Sequence, residues 1–179
     1  MNFIPGKLSG VWLIEFSPAT DIRGFFSRIY CQEEFKAHGL DMVVVQTAIS
    51  FNRKRGTLRG LHFQRPPFWE KKLVCCLQGS IFDVVVDLRE TSPTRWQWWA
   101  VELSAWNHRM LYIPEGFAHG YQTLSEPTTI LYHLSECYRP EAAAGLRWND
   151  PALKISWPLE PTVISERDQK HRLIHREKS

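Results

Sequence analysis

Seven short stretches alternate apolar and polar residues with period two, or concentrate β-branched and aromatic residues: KLSGVWLIEF (7–16), MVVVQTAISF (42–51), KKLVCCLQ (71–78), SIFDVVVDLR (80–89), WQWWAVELS (96–104), RMLYI (109–113) and TTILYHLSECY (128–138). Turns such as Gln78-Gly79, Ser92-Pro93 and Pro114-Glu115-Gly116 divide them. So many short strands at such close spacing predict an all-β sandwich or barrel, since neither helices nor parallel βαβ units fit between them. Helical periodicity is confined to QEEFKAHGL (32–40), which ends at a Gly39 cap, and to a charged turn in SERDQKH (165–171). Helices are therefore expected as short peripheral pieces. The Pro-interrupted stretch WNDPALKISWPLEPTVIS (148–165) reads as irregular chain wrapping the surface.

With 179 residues, 44% of them hydrophobic, the chain has enough apolar material for one sizeable core, and a single domain over 1–179 is expected. A net charge of +3 with scattered basic residues gives little footprint for nucleic acid; a small anionic ligand suits it better. The four cysteines, two of them adjacent at Cys75 and Cys76, show neither disulfide nor zinc spacing and read as reduced core residues. No run approaches the ~20 apolar residues of a membrane span, and the start lacks the pattern of a secretory signal, so a soluble cytoplasmic protein is expected.

The segment GTLRGLHFQ (56–64) has the look of a buried strand, yet it carries Arg59 and His62. Strict alternation aims these two side chains to opposite faces. Gly60 between them is a natural bulge position, and a slip of one residue there brings both to one face. Other strands add polar groups: Lys71 and Lys72, Asp83 and Asp87, His119 after the Pro114-x-Gly116 turn, Tyr132, His133, Tyr138, and Asp168 in the last turn. Singly, each has an ordinary reading as a solvated strand end, a packed aromatic or a surface charge. Together, inward-facing Arg, His, Lys and Tyr on neighbouring strands leave several polar groups in a dry space, which is costly unless a ligand or mutual hydrogen bonds satisfy them.

The motifs GTLRGLHFQ, KLV…FDVVVDLR…SPT, IPEGFAHGYQTLSE, YRPEAAAGLRWNDP and ISERD, in that order over nearly the whole chain, resemble the dTDP-4-dehydrorhamnose 3,5-epimerase family of cupin-type jelly-roll enzymes. The resemblance implies epimerisation of a dTDP-4-keto-6-deoxyhexose without metal or redox cofactor. It implies His62 as general base, Asp168 as the group that holds its tautomer, Tyr132 as the acid on the other face and Lys72 as the partner of the enolate oxygen. By the same match Arg23, Phe26, Arg28, Gln46, Arg59, His119 and Tyr138 surround the nucleotide-diphosphate sugar. A homodimer is implied, with N-terminal strands exchanged so that residues 7–16 cross to the partner; nucleic acid and membrane are not expected partners. The chemistry of those residue types agrees: a hydrogen α to a ketone is removable when the developing oxyanion meets a fixed positive donor, and inversion needs proton sources on two faces.

Departures from the family pattern fall at Arg28 in place of a glutamate, Ala48 in place of an asparagine and Glu70 in place of a glutamine. The first two are assigned by resemblance to the nucleoside end, so weaker discrimination for thymidine is expected. Three other readings compete. A single-carbon epimerase acting on a differently based nucleotide sugar needs the same residues. A metal-dependent cupin oxygenase or isomerase would use His62, Glu70 and His119, an incomplete set because Gln64 stands where such sites carry a second histidine. A non-catalytic sugar-nucleotide binding module would have no use for His62, Lys72, Tyr132 and Asp168 together.

Overall fold

The computed structural model describes residues 1–174. Its first seven strands are β1 (Asn2–Pro5), β2 (Trp12–Glu15), β3 (Ala19–Asp21), β4 (Gly24–Phe26), β5 (Gln46–Asn52), β6 (Thr57–Gln64) and β7 (Lys72–Gln78). Then follow β8 (Ser80–Asp87), β9 (Trp98–Ser104), β10 (Arg109–Ile113), β11 (Phe117–Thr123), β12 (Thr128–Leu134), β13 (Ala143–Gly145) and β14 (Val163–Ile164). Two short helices, α1 (Gln32–Ala37) and α2 (Glu166–Gln169), lie where helical signals were read. One sheet has the order β1-β2-β10-β7-β12-β5 and the other β13-β6-β11-β8-β9, with β14 joining β6 in parallel; β3 and β4 form a separate hairpin. This is the expected jelly-roll sandwich.

Alternation along the strands builds the layers. Val74, Leu111, Ile113 and Ile130 of the first sheet pack between the sheets against Ile81, Val85, Leu103 and Tyr121 of the second. The alternate residues of the same strands face outward, where Phe35 of α1, Leu40 and Met42 cover Leu73, Cys75, Met110 and Tyr112. On the far side Leu146 and Leu153, with Trp157, cover Leu61, Val84, Val86 and Ala118. Each fully buried aliphatic side chain contributes about 1.5–3 kcal/mol, so covering both outer faces is what turns two bare sheets into a folded unit. Burial also pushes the Cys75 and Cys76 thiols up to about 12 and about 11, as reduced core residues require. Among the described residues no helix is long and apolar enough to cross a membrane.

Two sequence expectations change. Residues 42–45 are not strand; Met42 instead drops into the cluster under α1. Residues 7–10 form a bend and turn, leaving only Trp12–Glu15 as strand. Within the chain β2 pairs with β10, from Trp12 opposite Tyr112 to Glu15 opposite Arg109, with Ile14 fully buried and an Arg109–Glu15 ion pair at 3.0 Å at the end of the register. The exposed N-terminal feature is the β3–β4 hairpin, where Phe26 is 78% exposed.

Candidate active site

Pairing of β6 with β11 places His62 opposite His119 and Arg59 opposite Tyr121, so three residue steps on β6 span two on β11. The extra residue is a bulge, and it turns Arg59 and His62 to the same inner face, as the Gly60 argument requires. Only glycine fits there: Gly60 has φ +131°, and a Cβ would sit 2.5 Å from the Gly120 Cα. From the opposite sheet, β7 and β12 turn Lys72 and Tyr132 inward, in line with Val74 and Ile130 of the inter-sheet core.

His62, Lys72 and Tyr132 meet at one cavity of about 260 Å³, whose wall also holds Gln46, Ala48 and Tyr138. A second cavity of about 330 Å³ adjoins it, sharing His62 and Arg167 and lined by Arg59 and Asp168. The carboxylate of Asp168 comes from α2, where the Ser165 hydroxyl caps the helix by accepting from the Asp168 N–H at 3.1 Å. Asp168 Oδ1 lies 2.7 Å from His62 Nε2, and Oδ2 accepts from the Gly60 N–H at 3.3 Å. Burial alone would raise this carboxyl, but the His62 hydrogen bond and charge, then the Gly60 N–H, outweigh it and hold Asp168 below the usual carboxylate range. An ionised carboxylate can only accept, so His62 donates from Nε2 and its Nδ1 is left as the basic nitrogen.

On the other wall, burial holds the Tyr132 phenol well above the ordinary tyrosine range, with the neighbouring Tyr121 and Asp83 acting in the same direction. Its hydroxyl is hydrogen-bonded to that of Tyr121, which also meets Ser50 Oγ at 2.8 Å and Asn52 Nδ2 at 3.1 Å. Arg59 joins the same group by donating to Asn52 Oδ1 at 2.8 Å. Lys72 Nζ sits 2.9 Å from Glu70 Oε1, both side chains about nine-tenths buried, so the family's glutamine position here supplies a counter-charge.

Not every expected residue converges. His119 is 4% exposed, bonded through Nε2 to Asp83 Oδ1 at 2.7 Å and edge-on to Tyr132; it stands behind the cavity and is absent from both walls. Arg23 is held by Asp21 on the hairpin and, with Phe26, lines a different cavity of about 450 Å³. Arg28 pairs with Glu34 at the surface. Ala48 lies directly opposite Tyr132 on β5 and lines the same cavity. The His62, Glu70, His119 set is not assembled, because Lys72 holds Glu70 and Asp83 holds His119. Among the described residues, the one set of metal-capable groups that converges is His62, Asp168 and His171, and the Arg167 that lines the His62 cavities disfavours a cation there. Sequence reading passes over Tyr121, Asn52, Arg167 and His171; the polar content of HGYQT and SERDQKH hints at all of them but Asn52.

An imidazole–carboxylate pair that faces a buried phenol and a lysine across the interior of a jelly roll gives a cupin-type site. The family model described as dTDP-4-dehydrorhamnose 3,5-epimerase matches residues 5–176. The chain belongs to the dTDP-4-dehydrorhamnose 3,5-epimerase family, a family of isomerases. The dTDP-4-dehydrorhamnose 3,5-epimerase of Sinorhizobium fredii is 43% identical over 94% of this chain and 87% of its own length. The Bacillus anthracis dTDP-4-dehydrorhamnose 3,5-epimerase, solved with TDP and PPi bound, superposes with TM-score 0.94 at 39% identity, covering 97% of this chain and 99% of that one. A dTDP-6-deoxy-D-glucose-3,5-epimerase from Legionella pneumophila, solved with dTDP-4-keto-L-rhamnose, gives TM-score 0.92 at 37% identity over 96% and 92% of the two chains.

Proposed function

We propose that this chain, acting as one domain, epimerises carbons 3 and 5 of a dTDP-4-keto-6-deoxyhexose. The observation that carries this reading is that His62 and Tyr132 belong to opposed sheets and face one cavity. His62 Nδ1 removes the hydrogen α to the ketone; the imidazolium is stabilised by Asp168 through Nε2–H, the orienting arrangement of a hydrolase His–Asp pair. The electrons move onto the ketone oxygen, where the Lys72 ammonium meets the enolate. Tyr132 returns a proton to carbon from the other face, which inverts the centre. Arg59, Gln46 and Tyr138 flank this path and bind the remainder of the nucleotide sugar.

Arg23, Phe26 and Arg28 lie apart from this cavity within one chain, and that supports a homodimer in which the β3–β4 hairpin, rather than β2, reaches the partner's site. The outward face of the edge strand β5, with Ile49 and Phe51 more than half exposed, offers apolar surface for the same contact. Sedimentation should give twice the chain mass of 21.0 kDa; a monomer with full activity excludes the hairpin's role.

The reading is tested by incubating metal-stripped protein with dTDP-4-keto-6-deoxyglucose in heavy water. Label at carbons 3 and 5 with inverted configuration, at a rate that added iron, manganese or nickel does not raise, is the expected result. Label at one carbon only would make it a single-carbon epimerase. Activity that returns only with metal favours the oxygenase class, and an unlabelled sugar favours a binding module.

A further inference from the structure

We propose that His171 is a positioning residue for this reaction, its imidazole wedged behind Asp168 so that the carboxylate stays against His62 and water stays out. The inference rests on the acid–base reading above. His171 Nε2 lies 3.6 Å from Asp168 Oδ1, the same oxygen that receives His62 at 2.7 Å, and the two imidazole rings stand edge to face with centroids 6.0 Å apart. The His171 side chain is 13% exposed, and its Nε2 is buried without a hydrogen-bond partner. A buried donor left at 3.6 Å from a carboxylate is costly unless its place is fixed by something else.

Three features fix it. Gly145, directly opposite His62 in the β13–β6 register, leaves a notch that the imidazole fills: a Cβ there would come 2.3 Å from His171 Nε2. Arg147 donates from Nε to the His171 carbonyl at 2.9 Å. Three residues further on, the Ile174 N–H donates to Asp150 Oδ2 at 2.6 Å, so the chain after α2 is tied at His171 and again at Ile174. The charged and titratable groups facing His171 are His62 from β6, Asp168 and Arg167 from α2, and Arg147 beyond β13. Burial first, then the charge of His62, holds His171 below the ordinary histidine range, so it meets Asp168 as a neutral ring and leaves the carboxylate's charge for His62.

The consequence is a sign. Opening the space behind Asp168 admits water, which screens its charge; the proton that His62 takes is then held less tightly. The enzyme becomes a weaker base whose activity persists to lower pH.

Three substitutions separate this from simple packing. The side chain of glutamine reaches the place of Nε2, whereas asparagine and leucine end at the depth of Nδ1 and leave the place of Nε2 empty. In His171→Leu and His171→Asn, kcat for epimerisation and for solvent exchange falls about tenfold, a fraction of what a general base contributes, with KM unchanged. The acid limb of the kcat/KM profile moves down by about 0.5 pH unit. His171→Gln retains kcat within about twofold and the wild-type limb. Wild-type kcat and pH profile in His171→Leu, or equal losses in all three variants, overturn the proposal. Should the leucine variant not fold, Gly145→Ala, which displaces the ring from its notch, gives the same loss and shift in a folded protein; a wild-type profile there overturns it equally. Absence of solvent exchange in the unsubstituted protein would instead count against the epimerase reading itself.

Discussion

In heavy water the His62→Ala variant incorporates no deuterium at carbon 3 or carbon 5, and epimerisation falls by on the order of 10³-fold or more. The expectation follows from the inner-face inventory. Among the described residues the one imidazole at the cavity wall is that of His62; His119 is bonded to Asp83 behind it, and Lys72 is paired with Glu70. Among the described residues no second imidazole–carboxylate pair stands at that wall. Asp168→Asn gives the milder companion: the amide oxygen still accepts from Nε2 but carries no charge to stabilise the imidazolium, so a loss on the order of 10²-fold or more is expected with binding retained. Proton-resolved labelling of recovered sugar, run beside a binding measurement, separates the two. Exchange that survives in His62→Ala at either carbon removes the imidazole from its assigned role.

Local pattern made the sandwich and half of the site legible, and long-range wrapping hid the rest. Period-two alternation depends only on neighbours along the strand, so β6, β7, β8 and β12 could be read directly, and Gly60 betrayed the bulge because no other residue fits at its φ and its distance from Gly120. Asp168 lies 106 residues from His62, and His171 further still; their meeting depends on how the segment after β12 returns across β6, which no periodicity encodes. The apolar run 42–45 read as strand because it is equally apolar, yet Met42 is needed to seal α1 against the outer face. Motif comparison assigns Ala48 to the nucleoside end, and the pairing that sets it opposite Tyr132 on β12 is not visible in its own strand. Pairing partners across a sheet, unlike strand content, are set by the whole topology.

Tyr132→Phe should uncouple abstraction from inversion. The ring stays in the inter-sheet core, where it packs against the buried cluster, and Tyr121 keeps Ser50 and Asn52 as partners, so the variant retains its fold. What is lost is one O–H. That hydroxyl is held protonated by burial, which is the state a donor needs, and it approaches from the sheet opposite to His62. Without it, the enolate formed at Lys72 has one proton source within reach, the imidazolium that has just been made, and returns to the starting configuration. Deuterium therefore washes into the sugar at a rate within about tenfold of wild type, while inverted product falls by on the order of 10²-fold. The ratio of exchange to inversion, expected to be about one in the unsubstituted protein, becomes the direct reading of whether two faces are served by two groups. Inversion at the wild-type rate in Tyr132→Phe would mean that the second proton comes from elsewhere on the wall, and that opposed placement of imidazole and phenol has no part in the stereochemistry.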